Sequence, residues 1–245
     1  MEVKKRAEII TNWINNYCDS ASYKPKALIV GISGGIDSSV VSALCASTGR
    51  KTIVLTMPIK QIKSQHDLSL LHAKWLKQKY KNVEHHLLEM DKIFTSFSQV
   101  LNKFDNEHGY ANSRARLRMT TLYQVAAANK GIVVGTGNKV EDFGVGFYTK
   151  YGDGGVDISP IADCNKSQVW ELGRHLGVSG KINNAQPTDG LWDDGRNDVE
   201  QLGMSYADLE KAMENKDDPN YQKYLEIREK NLHKINPIPV CTFNE

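Results

Sequence analysis

The chain lacks a charge excess of either sign: 31 basic residues stand against 29 acidic ones over 245 residues, a formal net charge of +2. So weak an overall field excludes the global attraction on which nucleic-acid and anionic-membrane binders rely, and any basic site must be local. Cysteine is scarce. Cys18, Cys45, Cys164 and Cys241 lie far apart with no Cys-x-x-Cys pair, which argues against a zinc site or a disulfide framework and fits a reducing cytoplasm. No apolar run is long enough to span a bilayer. The opening "MEVKKRAEIITNWINNYC" reads as an amphipathic helix, without the continuous apolar core and small-residue cleavage site of a signal peptide. Internal repeats and low-complexity tracts are absent as well.

What is present is 40% hydrophobic residues, enough to bury a sizeable core, and residues 1–245 are expected to form a single α/β domain. Short β-rich runs, "ALIVGIS", "KTIVLTMP", "VEHHLLEM" and "GIVVGTG", alternate with helical patterns near residues 38–47, 64–80, 91–104 and 112–129. That alternation predicts a parallel sheet with helices on both faces, and ligands at the carboxyl ends of its strands. After Gly137 the texture changes to a glycine-rich segment, a helix over 166–176, a polar loop over 183–203 and two charged helices over 205–233 around Asp217-Asp218-Pro219.

The stretch "ALIVGISGGIDSSVVSALCA" carries the first chemical signal. An apolar strand run breaks into Gly31, Ile32, Ser33, Gly34, Gly35, Ile36, Asp37 and Ser38 before a second apolar run begins. A loop from a buried strand into a helix places backbone N–H groups and the positive helix end around an anion, and the glycines permit close approach. Asp37 is a carboxylate in that phosphate-shaped nest, and makes electrostatic sense chiefly as a ligand of a divalent cation, Mg²⁺ being the obvious one. No Gly-Lys-Ser/Thr closes the loop as in a Walker A sequence, nor is it Gly-x-Gly-x-x-Gly.

"SGGIDSS" resembles the signature of the ATP pyrophosphatases, the PP-loop family with its adenine-nucleotide alpha-hydrolase-like fold, which cleave ATP between the α- and β-phosphates. The acceptor is indicated by "NSRARLRMTTLYQVA", "VVGTGNKVEDFGVGFYTKYGDGGVDISPIADCNKSQVWELGRHLGV", "QPTDGLW" and "NLHKINPIP". Together these resemble the ammonia-dependent NAD synthetases. The resemblance implies amidation of deamido-NAD by ammonia through an adenylated intermediate, and a homodimer whose interface helps build the substrate site. It implies that Thr136, Lys166 and Thr188 contact ATP with the loop residues, that Asp37 and Glu141 bind Mg²⁺, and that Arg116, Lys150, Asp157, His233 and Lys234 bind deamido-NAD. Asp153 would sit near the incoming ammonia, giving Asp37, Lys166 and Asp153 as catalytic candidates.

The residues themselves qualify this picture. Thr136 and Glu141 follow a strand run, which puts them at the sheet's ligand edge. Arg114 and Arg118 are four apart on one helical face, with Arg116 nearly opposite, so Arg114 and Arg118 are expected on a solvated face or in ion pairs. Met119, Leu122, Tyr123 and Ala126 form an apolar stripe expected in the core or a subunit interface. The segment from Tyr148 to Asp157 reads as a mobile lid, and the loop from Glu141 to Lys150 is about one residue longer than the family's usual form. The cysteine positions do not suit a glutaminase nucleophile, so free ammonia is the expected donor. Another PP-loop amidotransferase or thiolase, and a non-catalytic nucleotide sensor, remain as alternatives.

Overall fold

Each of the runs named above forms a strand; three are almost wholly buried, as strands covered on both faces should be, while the run at Val83 forms an edge strand with Glu84, His86 and Leu87 exposed. The computed structural model describes residues 1–188, 190–192 and 197–243. β1 (Leu28–Gly31), β2 (Thr52–Thr56), β3 (Val83–Leu87) and β4 (Ile132–Val133) pair in parallel in the order β3-β2-β1-β4. Beyond β4 the ladder continues as a bridge between Val134 and Ile158, with Gly135 N–H donating to Ile158 O.

The pleat sends alternate side chains of β1 to opposite layers. Leu28 and Val30 join a core with α1 (Val3–Ser20), α2 (Ile36–Ser47), α3 (Lys63–Lys79) and, further along the chain, α6 (Lys166–Leu176) and α7 (Gly180–Asn183). Ile29, with Ile53, Leu55 and Val133, packs against α4 (Asp91–Val100) and α5 (Glu107–Ala128) on the other side. Each fully buried Ile or Leu in these layers stabilises the fold by about 2 kcal/mol. A third cluster joins Val140 and Val145 to α8 (Asp198–Leu202), α9 (Tyr206–Glu214) and α10 (Tyr221–Ile235).

Local differences from the sequence reading have local causes. α5 begins at Glu107 rather than near 112 because the Asn106 side chain caps it, accepting from Gly109 N at 2.7 Å. The helix expected over 91–104 ends at Val100, with a 3₁₀ turn over Asn102–Phe104. α8 forms inside the expected polar loop because Asn197 and Glu200 make a capping box; residues 189 and 193–196 of that loop lie outside the described residues. No described helix is long and apolar enough to cross a membrane.

The chain runs from β1 outward through β2 to β3, then returns to place β4 on the opposite side of β1. The direction of winding therefore reverses between β1 and β4. At this switch the carboxyl ends of β1 and β4 border a crevice, the place where open parallel sheets bind ligands.

Candidate active site

The loop after β1 is shaped by its own hydroxyls. Ser38 Oγ accepts from Ser33 N and donates to Gly35 O, both at 3.2 Å, and Ser39 Oγ donates to Gly35 O at 2.9 Å. Gly34 has φ +95°, and a Cβ there would lie 2.6 Å from Gln65 O and 2.9 Å from Ser69 N, so glycine is what lets the loop dock on α3. These residues line a cavity of about 450 Å³. Gly31, Ile32, Ser33, Gly34, Gly35, Ile36, Asp37, Ser38, Thr136, Glu141, Asp153, Lys166 and Thr188 all border it.

At its floor lies a buried ionic cluster. Lys166, at the first turn of α6 and 1% exposed, donates to Asp37 Oδ2 at 2.6 Å and to Glu141 Oε1 at 2.7 Å. Asn138, fully buried, ties both acids down: its Nδ2 donates to Asp37 Oδ1 at 3.0 Å and its Oδ1 accepts from Val140 N and Glu141 N. Burial alone would depress the Lys166 amine, but the two carboxylates outweigh it and hold it charged above the usual lysine range. Sharing one cation splits the acids. Burial pushes both carboxyls up, yet the Lys166 contact and further hydrogen bonds keep Glu141 below the usual range, whereas Asp37 ends above it.

Among the described lining residues five carboxylates (Asp37, Glu141, Asp142, Asp153, Asp198) face two cations, Arg118 and Lys166. A polyphosphate entering such a cavity needs added positive charge, and Asp37 and Glu141 already converge on a cation position. Hard oxygen donors of this kind suit Mg²⁺, so the pair fits the metal the family resemblance implies. No group of three or more His, Cys, Asp or Glu able to hold a metal occurs among the described residues. Substrate oxygens and water would complete the coordination.

Several residues with no assigned role enter the site. A π-helix spans Lys139–Val145 ahead of Lys150, closed by Gly146 N–H on Glu141 O five residues back. Asp142 on this π-helix reaches the cavity over Gly137, where a Cβ would fall 1.8 Å from Asp142 Oδ2. Burial, then Asp153, Glu141 and Asp37, push its carboxyl well above the ordinary range. Tyr206 touches Glu141 and Asp198 from α9. Asn138 was within reach of sequence reasoning, since it precedes Glu141 in a strand-end turn; Tyr206, 65 residues from its partner, gave no local signal.

The expected solvated face of α5 is corrected. Arg114 is 6% exposed, with its guanidinium 4.9 Å over the Phe94 ring and Nη1 donating to Leu191 O at 2.8 Å. Arg118 Nε donates to Met57 O at 3.0 Å, and the side chain lines the cavity with Ala115, Met119 and Leu122. Helical spacing turned this arginine face inward, and stacking and carbonyl acceptors replace its water. Of the apolar stripe, Ala126 lies in the core, while Tyr123 donates to Asp157 Oδ1 at 3.1 Å.

Residues expected to hold deamido-NAD do not line this cavity. Exposed Arg116 donates to Lys150 O at 3.3 Å, Lys150 Nζ donates to His233 O at 2.6 Å, and Lys234 Nζ donates to Tyr148 O at 2.8 Å. They form one cluster between α5, the glycine-rich segment and α10. That segment is folded into turns, with Thr149 N donating to Asp153 Oδ1 at 2.9 Å. Asp157, exposed, stands apart beside β4, accepting from Val133 N at 2.7 Å.

The NAD synthase family model matches residues 6–239. The chain is 36% identical over 245 residues to the NH(3)-dependent NAD(+) synthetase of Alkaliphilus metalliredigens, covering 96% of this chain and 95% of that one. Among solved structures, NMN synthetase from Francisella tularensis superimposes with a TM-score of 0.90 at 29% identity, over 99% of this chain and 100% of that one. The NH3-dependent NAD synthetase of Campylobacter jejuni shares the fold, with a TM-score of 0.79 at 24% identity over 99% and 100% of the two chains. The chain belongs to the NAD synthase family.

Proposed function

We propose that the chain is an ammonia-dependent NAD synthetase, converting deamido-NAD to NAD at the expense of ATP. One observation carries the reading: Asp37, Lys166 and Glu141 converge at the end of β1, beside a glycine loop able to cradle phosphates, in a chain whose curated relatives are synthetases of this kind. The nicotinate carboxylate attacks the α-phosphorus of ATP and pyrophosphate leaves. Ammonia then attacks the carbonyl carbon of the adenylated acid, loses a proton, and AMP departs. Adenylation removes the negative charge that repels the amine and replaces a poor oxide leaving group.

The protein positions, and it screens charge. Backbone N–H groups of the Ser33–Ser38 loop and the start of α2 receive phosphate oxygens, with Thr136 and Thr188 along the cavity wall. Lys166 supplies positive charge to the phosphates. Asp37 and Glu141 would hold Mg²⁺, which supplies charge neutralisation for the departing pyrophosphate. Asp153 draws ammonium toward the adenylated carboxyl, where the deprotonated nitrogen attacks. Arg116, Lys150, His233 and Lys234, with Asp157, bind the pyridine nucleotide, which a homodimer would enclose from a second side. A cytoplasmic location suits an enzyme drawing on ATP.

A second reading concerns the acceptor. The TM-score of 0.90 over both full lengths to an NMN synthetase favours nicotinate mononucleotide as a substrate of the same chemistry. One assay decides both. With Mg-ATP and ammonium, deamido-NAD should give NAD, AMP and pyrophosphate, and Asp37→Asn should abolish this while remaining folded. A kcat/KM higher for the mononucleotide acid would move the assignment to that acceptor; no pyrophosphate release with either acid would overturn the reaction class.

A further inference from the structure

Tyr206 opens α9 and is 5% exposed, yet it touches three charged groups of the site. Its Oη lies 2.5 Å from Glu141 Oε1 and 2.9 Å from Asp198 Oδ2, and its ring lies 4.8 Å from Lys166 Nζ. The ring is held edge-on to Trp170, at 6.0 Å between centroids, within the cluster of Val140, Val145 and Leu209. It is therefore fixed from one side by apolar packing and reads the ionic cluster from the other.

A phenol has one proton to give. The shorter contact marks Glu141 Oε1 as its acceptor, the same oxygen that Lys166 holds. Burial, followed by Glu141 and Asp198, pushes the phenol far above its usual range, so it stays a neutral donor. If Lys166 turns to phosphate, Glu141 keeps the Tyr206 bond and the Asn138 bonds at its own backbone. Tyr206, with the Asn138 side chain, then still holds the carboxylate.

We propose that Tyr206 is a positioning residue for the reaction: its hydroxyl keeps the Glu141 carboxylate aimed at the cation position it shares with Asp37. The proposal rests on the metal role given to Glu141 above. Partners that orient a metal ligand are typically worth roughly 10- to 100-fold in metal affinity or activity.

The test is Tyr206→Phe in the full chain, which keeps the ring against Lys166 and Trp170 and removes only the hydroxyl. Mn²⁺ binding is read by the electron spin resonance of free Mn²⁺, with a non-hydrolysable ATP analogue present, beside a thermal melt. Affinity for Mn²⁺ should fall about tenfold, and the Mg²⁺ needed for half-maximal pyrophosphate release should rise by a similar factor. In a Glu141→Gln background the further loss should shrink to within about threefold, because the hydroxyl acts through Glu141. A folded variant with unchanged Mn²⁺ affinity, whatever its melting temperature, overturns the proposal. So does a full tenfold further loss in the Glu141→Gln background. Should Tyr206→Phe be recovered only as aggregate, the double variant Tyr206→Phe with Asp198→Asn removes the same hydroxyl together with the buried charge it faces, and unchanged Mn²⁺ affinity there overturns the proposal equally. Wild-type chain that binds Mn²⁺ with the analogue but releases no pyrophosphate would refute the synthetase reading and leave the Tyr206 measurement intact.

Discussion

A single buried ammonium stands between two acids, and that arrangement has a cost when either side is removed. Lys166 neutralises Asp37 and Glu141 at 2.6 and 2.7 Å where little water reaches them. Lys166→Met would leave two buried carboxylates without a countercharge, a loss of about 3 kcal/mol or more. For a chain of this size that lowers the melting temperature by roughly 6–12 °C. A divalent ion would fit the vacated position, so Mg²⁺ alone should raise the variant's melting temperature and leave the wild type nearly unchanged. Melts with and without Mg²⁺ check this, and equal insensitivity of both proteins would argue against a shared cation position. Asp37, Glu141 and Lys166 were nameable from the sequence because each sits in a run whose neighbours set its place, "SGGIDSS", "GTGNKVE" and "CNKSQ". Tyr206 and Asp142 were not. Their roles depend on how α9 and the π-helix fold over the cavity, a long-range fact that no local spacing encodes.

At the scale of elements the apolar runs of β1, β2 and β4 were decisive, since a strand buried on both sides has no polar register to disguise it, whereas the edge strand β3 exposes Glu84, His86 and Leu87. All four strands lie inside the runs read from sequence, and the order β3-β2-β1-β4 puts the crevice where the glycine loop leaves β1. The π-helix was not legible, because wider winding leaves no compositional mark. The arginine face of α5 was misjudged for a related reason: charge predicts solvent, while Phe94 and the Leu191 carbonyl, which replace that solvent, come from other elements. The contact of the β1 loop with α3 gives a sharp test. Gly34→Ala combines a strained φ of +95° with a Cβ 2.6 Å from the backbone oxygen of Gln65, so loop and helix must separate. The expected result is a destabilisation of about 1–3 kcal/mol together with loss of ATP binding, read by denaturant melts and nucleotide titration. Normal nucleotide affinity in this variant would mean that the docked loop does not form the phosphate site.

For the molecule as a whole the open question is which nitrogen compound the site consumes. Curated relatives that match nearly the full chain are named for ammonia. Glutamine use requires a reactive thiolate, and this chain's cysteines offer poor ones: Cys18, Cys45 and Cys164 are buried, and burial pushes all three thiols up. Cys241 is exposed in the tail that follows α10, away from the cavity lining among the described residues. What the cavity does offer is acid, with Asp153 close enough to Asp142 to raise that carboxyl's proton affinity beyond what burial does. Such a wall attracts ammonium, but only the deprotonated nitrogen has a lone pair with which to attack the adenylated carboxyl. At subsaturating total ammonium the rate should therefore climb from neutral to mildly alkaline pH, as the neutral fraction grows. With glutamine as the sole nitrogen source, freed of contaminating ammonia, the purified chain should form no NAD. The measurement is NAD formation against pH at fixed total ammonium, with the glutamine reaction beside it. A flat pH profile would mean that the protein delivers the deprotonated nitrogen itself, and efficient synthesis from glutamine alone would overturn ammonia as the donor.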